Sequence, residues 1–393
     1  MKVLISFVRI IVGVLFIFSG LVKANDPLGL SYKMQEFFEV WNFHWLDNFT
    51  LAFSILMIAF EIVAGVAVLL GWQMKLFSWL LLVLIVFFTF LTGYAYLSGK
   101  VRECGCFGDC IPLTAGQSFT KDLILLVLIL FLFAQQRKIG AAISRVGSLA
   151  VLILSTLLSF AFMWYVLIHL PVVDCLPYRV GGNIPDKMKP PPGAIQDSTE
   201  ITMVYEKKGQ QIEFNSKKFP ADFDDSYKFI KRYDKLIRKG NAEPAIKDFA
   251  LITAAGTDTT QDILDRKGYK IFFFTKGFTE DSPAWIAAFT LIHTMAKAKN
   301  IPIYFITGDY DNVSSWVEKA GIGQDVSILK CDATAIKTAA RAYPTLYLLK
   351  KGVILHKWSY ADLERALPAI NELPNQEQQM ALQGKRLNGT RAL

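Results

Sequence analysis

Cys104, Cys106 and Cys110 fall in one short run, Cys104-Gly-Cys-Phe-Gly-Asp-Cys110, between two strongly apolar stretches. Thiols this close together beside a bilayer support disulfide exchange, electron transfer to a lipid-soluble carrier, or metal capture. A Cys-x-Cys disulfide closes a small, strained ring and is more easily reduced than a structural bridge. Gly105 suits such a turn because it accepts backbone angles that a side chain forbids. In the redox reading an incoming dithiol exchanges with Cys104–Cys106 and Cys110 resolves. The electrons then pass to a quinone among the helices or to a partner. Other readings of the same spacing stay open. One structural bridge such as Cys106–Cys110 would pin the loop, and three thiolates could hold zinc or copper with Asp109 or His44 as fourth ligand. Cys175 and Cys331 read first as structural, Cys331 as a small buried hydrophobe. Cys175 nevertheless starts only a few residues beyond Leu170, close enough to the same membrane surface to relay. The histidines at 44, 169, 293 and 356 show no metal-binding spacing.

The elements that must carry this loop are apolar. Of 393 residues 53 % are hydrophobic and 19 % charged, too apolar for an ordinary soluble enzyme. The apolar residues crowd before about residue 170 and the charges after it, which predicts a membrane half and a soluble half. The net charge of +8 is scattered among acids, as in Lys231-Arg232-Tyr233-Asp234-Lys235, without a basic stripe, which argues against nucleic acid.

A spanning helix needs about 20 mainly apolar residues. Residues 3–22, 51–72, 76–97 and 149–170 meet this, and 123–134 meets it when extended back through Gln117, so five spans are expected. The first run lacks a signal-cleavage pattern and reads as a retained helix. Lys2, Arg9, Lys75, Arg137, Lys138 and Arg145 would flank one membrane face densely. Lys23, Lys33, Lys100, Arg102 and Lys121 would sit sparsely on the other, so the N-terminus is expected inside. That puts the cysteine loop and everything after Leu170 on the oxidising face. Glu61, in the middle of a span, should face the bundle interior. It would be a proton-handling group, or a protonated carboxyl bonded to a neighbouring Ser, Thr or Tyr such as Tyr94 or Tyr96, with Arg9 as an alternative partner unless it snorkels to the surface.

Beyond Leu170 a proline-marked extended connector runs over 171–244. It holds a hairpin around Lys208-Gly209 and helical spacing over 225–238. From about 245 strands are expected at 248–253, 269–274, 303–306 and 327–330, helices at 283–298, 313–320 and 333–342, and a closing hairpin at 345–349 and 353–358. This alternation predicts a small α/β domain with a mixed sheet.

The first 136 residues or so resemble the DoxX/MauE group of redox-associated membrane proteins. The likeness rests on Arg9-Ile-Ile-Val-Gly13, Phe18-Ser-Gly-Leu-Val-Lys23, Glu61 with Gly65 and Gly71, and above all Cys104-Gly-Cys-Phe-Gly108. It implies a four-helix bundle associated with disulfide formation in an exported enzyme; Cys110 and a fifth helix depart from it. Residues from about 245 resemble a thioredoxin-like domain through Ala342-Tyr-Pro344-Thr-Leu-Tyr-Leu-Leu349. That likeness implies a cis peptide before Pro344 and a client-binding face at Tyr343 and Pro344. The family's Cys-x-x-Cys after the central strand is missing from 275–283, so the fold carries over and the dithiol activity does not. Together the parts are similar in architecture to envelope proteins from the Bacteroidetes.

The expected organisation is therefore a membrane bundle at 1–136, a turn and fifth helix at 137–170, a connector at 171–244 and a thioredoxin-like domain at 245–393. The expected protein is a multi-pass inner-membrane thiol/disulfide component with a periplasmic C-terminal domain. Cys104, Cys106, Cys110, Glu61 and Cys175 would be its working groups, and an exported protein its client. The alternative is a non-enzymatic scaffold or subunit of an envelope complex.

Overall fold

The computed structural model describes residues 1–99, 108–195, 198–215, 218–220, 222–238, 240, 242–276 and 285–376. Cys104 and Cys106 lie outside them. Among the described residues five helices are long and apolar enough to cross a membrane: α1 Lys2–Ala24, α3 Thr50–Leu70, α4 Met74–Ser98, α5 Ala115–Gln135 and α6 Arg145–Ile168. Between α1 and α3 lies a helix that the hydropathy pattern did not predict, α2 Pro27–Val40, followed by a 3-10 turn at His44–Phe49. Its start is set by Asp26, whose side chain accepts from Gly29 N, and by Pro27 in the first turn. The short α5 is extended by a capping box of Thr114 and Gln117.

Val3, Phe7, Ile10, Val14, Phe18 and Leu21 form an exposed stripe along α1, as lipid contact requires. The opposite face packs Val8, Val12 and Phe16 against Ala64, Ala67 and Val68 of α3. The two helices touch through glycine: a Cβ on Gly65 would lie 2.8 Å from the Gly13 carbonyl oxygen, and one on Gly13 2.6 Å from Leu69. Small residues at such a crossing let backbones approach where lipid gives no hydrophobic drive. The alternating direction of the spans collects the end of α1, α2, the start of α3, the end of α4, Cys110, the start of α5 and the end of α6 at one end of the bundle. The α/β domain follows α6 at that end.

After α6 come α7 Ile184–Lys187 and the strands β1 Ser198–Lys207, β2 Gln210–Asn215 and β3 Lys228–Arg238. These strands form an antiparallel sheet of order β2-β1-β3. Lys208 and Gly209 turn the β1–β2 hairpin, both at positive φ. The helical spacing expected over 225–238 is overturned: β3 pairs with β1 from Lys228 to Arg238. Its charges mimic a helical period, but Phe229, Ile230 and Tyr233 fit a pleated strand, and aromatics packed around Tyr205 hold the sheet together.

The α/β domain contains, in chain order, α8 Thr260–Asp265, β4 Tyr269–Thr275, α9 Ile286–Ala298, β5 Ile303–Thr307, α10 Tyr310–Lys319, β6 Val326–Lys330, α11 Ala333–Ala339, β7 Thr345–Lys350, β8 Val353–Ser359 and α12 Ala366–Asn371. Its sheet has the order β6-β5-β4-β7-β8. β4, β5 and β6 are parallel, β7 runs against them, and β8, antiparallel to β7, runs with them again. Phe272, Phe274, Ile306 and Tyr347 face one core; Ile271, Phe273, Phe305 and Leu346 face the other. With a cis peptide at Tyr343–Pro344 leading into β7, this is the thioredoxin-like arrangement.

Two expectations change here. Residues 248–253 make only two isolated bridges, from Ile252 to Lys330 and to Asp258. Thr260 Oγ1 accepts from Leu251 N and Thr259 Oγ1 donates to Leu251 O, which takes the groups a ladder would need. The start of the expected connector belongs to the domain instead. Tyr178 and Ile184 are buried in its core, and the chain from Gly181 to Ile184 bonds along β8 at Ile354 and Gly352.

Candidate functional site at the junction of bundle and α/β domain

Cys110 is bonded to Cys175, with their Cα atoms 4.8 Å apart. This corrects two expectations: Cys110 is neither paired with Cys106 nor a free resolving thiol. Both cysteines are half-buried. The bridge joins the turn that precedes α5 to the segment that leaves α6, and the flanking residues fix it on every side.

Asn25, at the end of α1, holds Val173: its Nδ2 donates to Val173 O at 2.9 Å and its Oδ1 accepts from Val173 N at 3.0 Å. Asp174 receives Lys357 Nζ of β8 at 2.9 Å. Burial pushes the Lys357 ammonium down, and Asp174 works against that. Asp109, next to Cys110, receives Arg341 Nη2 at 3.0 Å. Arg341 Nε also lies 2.7 and 2.9 Å from the two Asp26 oxygens. Its Nη1 donates to Lys337 O, which anchors the guanidinium on α11. Burial opposes the Arg341 charge, but Asp26 and Asp109 outweigh it and hold it above the usual guanidinium range.

Around this pair the loop before β7 meets α2. Tyr32 of α2 lies under Arg341, 5.4 Å from guanidinium carbon to ring centroid, and Lys337 Nζ is 5.2 Å away. Lys276 Nζ sits 4.3 Å over Tyr343. Its charge is disfavoured by burial, then by Lys337 and Arg341. Burial, then Tyr32, pushes the Tyr343 hydroxyl well above the usual tyrosine range. Pro344 is buried and Tyr343 half-buried. The face expected to receive an external client therefore meets the chain's own bundle. Asp109, a ligand in the metal reading, is held by Arg341. His44 lies on the surface, 3.6 Å from Asp47.

Inside the bundle, Glu61 bonds a neighbouring serine as expected but takes Lys23, and not Tyr94, Tyr96 or Arg9, as its main partner. Lys23 Nζ lies 2.6 and 2.8 Å from its two oxygens and Ser19 Oγ donates at 3.2 Å. Lys23 is 3 % exposed and rests 4.9 Å over the Phe88 ring, so it is a buried ion-pair partner and not an outer-loop charge. Arg9 reaches Gly140 O at the opposite end of the bundle. Tyr94 packs on Trp41 and Tyr96 stacks on Phe119. A second buried acid, Asp122, accepts from Thr92 at 3.0 Å and pairs with Lys121. Among the described residues Cys331 is the free thiol; burial pushes it up to about 12, which makes it inert. The sequence reading missed Lys23, Asn25, Asp26 and Arg341. Asp26-Pro27 carried a helix-start signal, whereas Arg341 had no signal beyond its place beside Tyr343-Pro344.

The family model described as methylamine utilisation protein MauE matches residues 1–135. Residues 1–135 are a MauE-like membrane domain. It contains α1 to α5 and the whole cysteine loop, so four of its helices span and α2 lies between the first two. A model described as a domain of unknown function matches 199–239, the extent of the three-stranded sheet. Protein TlpB of Flavobacterium psychrophilum is 28 % identical over 129 residues, 32 % of this chain and 35 % of that protein. The chain thus spans about a third of the length of the curated relative it matches. Among solved structures, a thioredoxin-like protein from Bacteroides caccae aligns over 31 % of this chain and 47 % of its own, at 20 % identity and a TM-score of 0.24. A thiol-disulfide oxidoreductase from Bacteroides fragilis aligns over 31 % and 94 %, at 18 % identity and a TM-score of 0.25. The thioredoxin-like assignment rests on the strand order and the cis-proline loop described above, which is the architecture expected.

Proposed function

We propose that the MauE-like domain is a membrane thiol/disulfide exchange centre whose working cysteines are Cys104, Cys106, Cys110 and Cys175. The observation that carries this is the half-buried Cys110–Cys175 bridge. Cys106 is at most about 14 Å of extended chain from Cys110, which keeps it within reach of that bridge. In the forward step a client thiolate attacks Cys104–Cys106, forming a mixed disulfide and releasing one cysteine thiolate. The client's second thiolate then displaces the other cysteine. The client leaves with a new disulfide, and two electrons and two protons remain as the Cys104/Cys106 dithiol. The same exchange with Cys110–Cys175 passes the pair onward.

An exported protein is the client class, the N-terminus lies inside, the α/β domain is periplasmic, and the membrane is the inner one. Support for this orientation comes from burial of Lys23, which removes one positive charge from the outer side of the Lys/Arg comparison. Net oxidation needs a two-electron acceptor, for which a quinone is the chemical class. Lys23, near the same end of the bundle interior, carries a third ammonium hydrogen beyond the two directed at Glu61 and is a donor suited to its carbonyl oxygen. Glu61 holds the Lys23 ammonium and is the group placed to handle a proton there.

The test uses the full chain in detergent with a dithiol peptide and a short-chain soluble quinone, following thiol loss. Quinone-dependent oxidation is expected, and Cys104→Ser or Cys106→Ser should reduce it at least about 100-fold. Equal oxidation by the double variant would sink the proposal. A second reading, a non-enzymatic subunit of an envelope complex, draws on the covered Tyr343–Pro344 face and the inert Cys331. Thiol trapping in native membranes separates the two: an unchanging bridge beside permanently free Cys104 and Cys106 would favour the subunit.

A further inference from the structure

We infer that Arg341 is a positioning residue for the Cys110–Cys175 couple, so that closing this disulfide and seating the cis-proline loop on the bundle are one coupled equilibrium. The inference rests on the reading that the cysteines at this end of the bundle exchange disulfides. It adds that the partner of the thioredoxin-like face is the chain's own cysteine site.

Each cysteine is gripped through its neighbours from both bodies. On the Cys175 side, Asn25 of the bundle takes both backbone groups of Val173, and Lys357 of β8 takes Asp174. On the Cys110 side, Asp109 is held by Arg341. Arg341 then ties this turn to Asp26, the residue after Asn25. Arg341 is 6 % exposed. A guanidinium and two carboxylates are taken out of water here, which is favourable only when both acids are in place. Asp109 is in place when Cys110 is bonded to Cys175. Opening the bridge frees the 108–110 turn and removes one arm of the clamp. Linkage makes the effect reciprocal: whatever factor the seated arginine contributes to closing the disulfide, the disulfide contributes to seating the arginine. A lysine carries the charge but not the planar fork that spans two acids, so Arg341→Lys should retain part of the effect.

The experiment equilibrates the full chain in detergent against glutathione buffers of set ratio, in a Cys104→Ser/Cys106→Ser background so that only this pair reports. The chemistry is balanced: two glutathione thiols reduce the bridge to the dithiol and leave as oxidised glutathione. The fraction bridged is read by alkylation and mass spectrometry. Arg341→Gln should shift the equilibrium toward the dithiol by about tenfold, with Arg341→Lys and Asp109→Asn intermediate. Reduction of the wild-type pair should raise hydrogen exchange in 26–32 and 341–344. Unchanged equilibria in Arg341→Gln and Asp109→Asn, or unchanged exchange on reduction, would overturn the inference. If Arg341→Gln fails to fold, Asp109→Asn decides, because it leaves the Arg341–Asp26 pair intact. Since neither readout uses a client or a quinone, failure of the catalytic reading leaves this result separately legible.

Discussion

Lys23 and Glu61 show how a single charge in a bilayer acquires meaning from its partner. An unpaired carboxylate at that depth costs several kcal/mol, and so does an ammonium. Placed 2.6 Å apart and almost wholly buried, each offsets much of the other's desolvation. Lys23→Met is therefore expected to destabilise the full chain in detergent by about 3 kcal/mol, with Lys23→Met/Glu61→Gln recovering most of it. Melting curves of the two variants check this, and additive losses would show that the pair is not the unit. Glu61 was legible in the sequence as an interior acid. Lys23 was not, because a lysine at the end of an apolar run reads as a surface anchor until the neighbouring helix is known.

At the scale of elements, α1 and α3 form the seam that carries this ion pair. Gly65 lies one turn beyond Glu61 and faces Gly13, so the glycines set the separation at which Lys23 reaches Glu61. Gly65→Val should push the helices apart and cost about 1–3 kcal/mol. The thermal midpoint of the detergent-solubilised chain measures it; an unchanged midpoint would mean the seam can open without loss. The five spans were legible because length and hydropathy dominate in a membrane. α2 was not, because a half-polar helix lying beside the bundle has no such signature. β3 was misread for a related reason: its charges satisfy two periods, and only pairing with β1 chooses between them.

For the whole molecule, the Cys110–Cys175 bridge closes 65 residues that include α5 and α6. A free loop of that length would contribute about 4 kcal/mol. Here α5 and α6 remain inserted when the α/β domain unfolds, so the unfolded chain is already constrained and the contribution should be smaller. Cys175→Ser is thus expected to lower the midpoint of the α/β domain by an amount worth about 1–3 kcal/mol. Calorimetry of the full chain tests this, and an unaltered domain transition would remove the bridge from the stability of the junction.

The sequence by itself determined the membrane half, the α/β half, the closing hairpin around Lys351-Gly352 and the cysteine-rich loop. Each is written in local composition or period, which a chain expresses wherever it folds. Only the tertiary structure decided that Cys110 joins Cys175, that Lys23 neutralises Glu61, and that Arg341 closes on Asp26 and Asp109. Those contacts link residues far apart in the chain. They depend on the direction of the intervening elements, the depth of each side chain in the bundle, and the cost of burying charge alone.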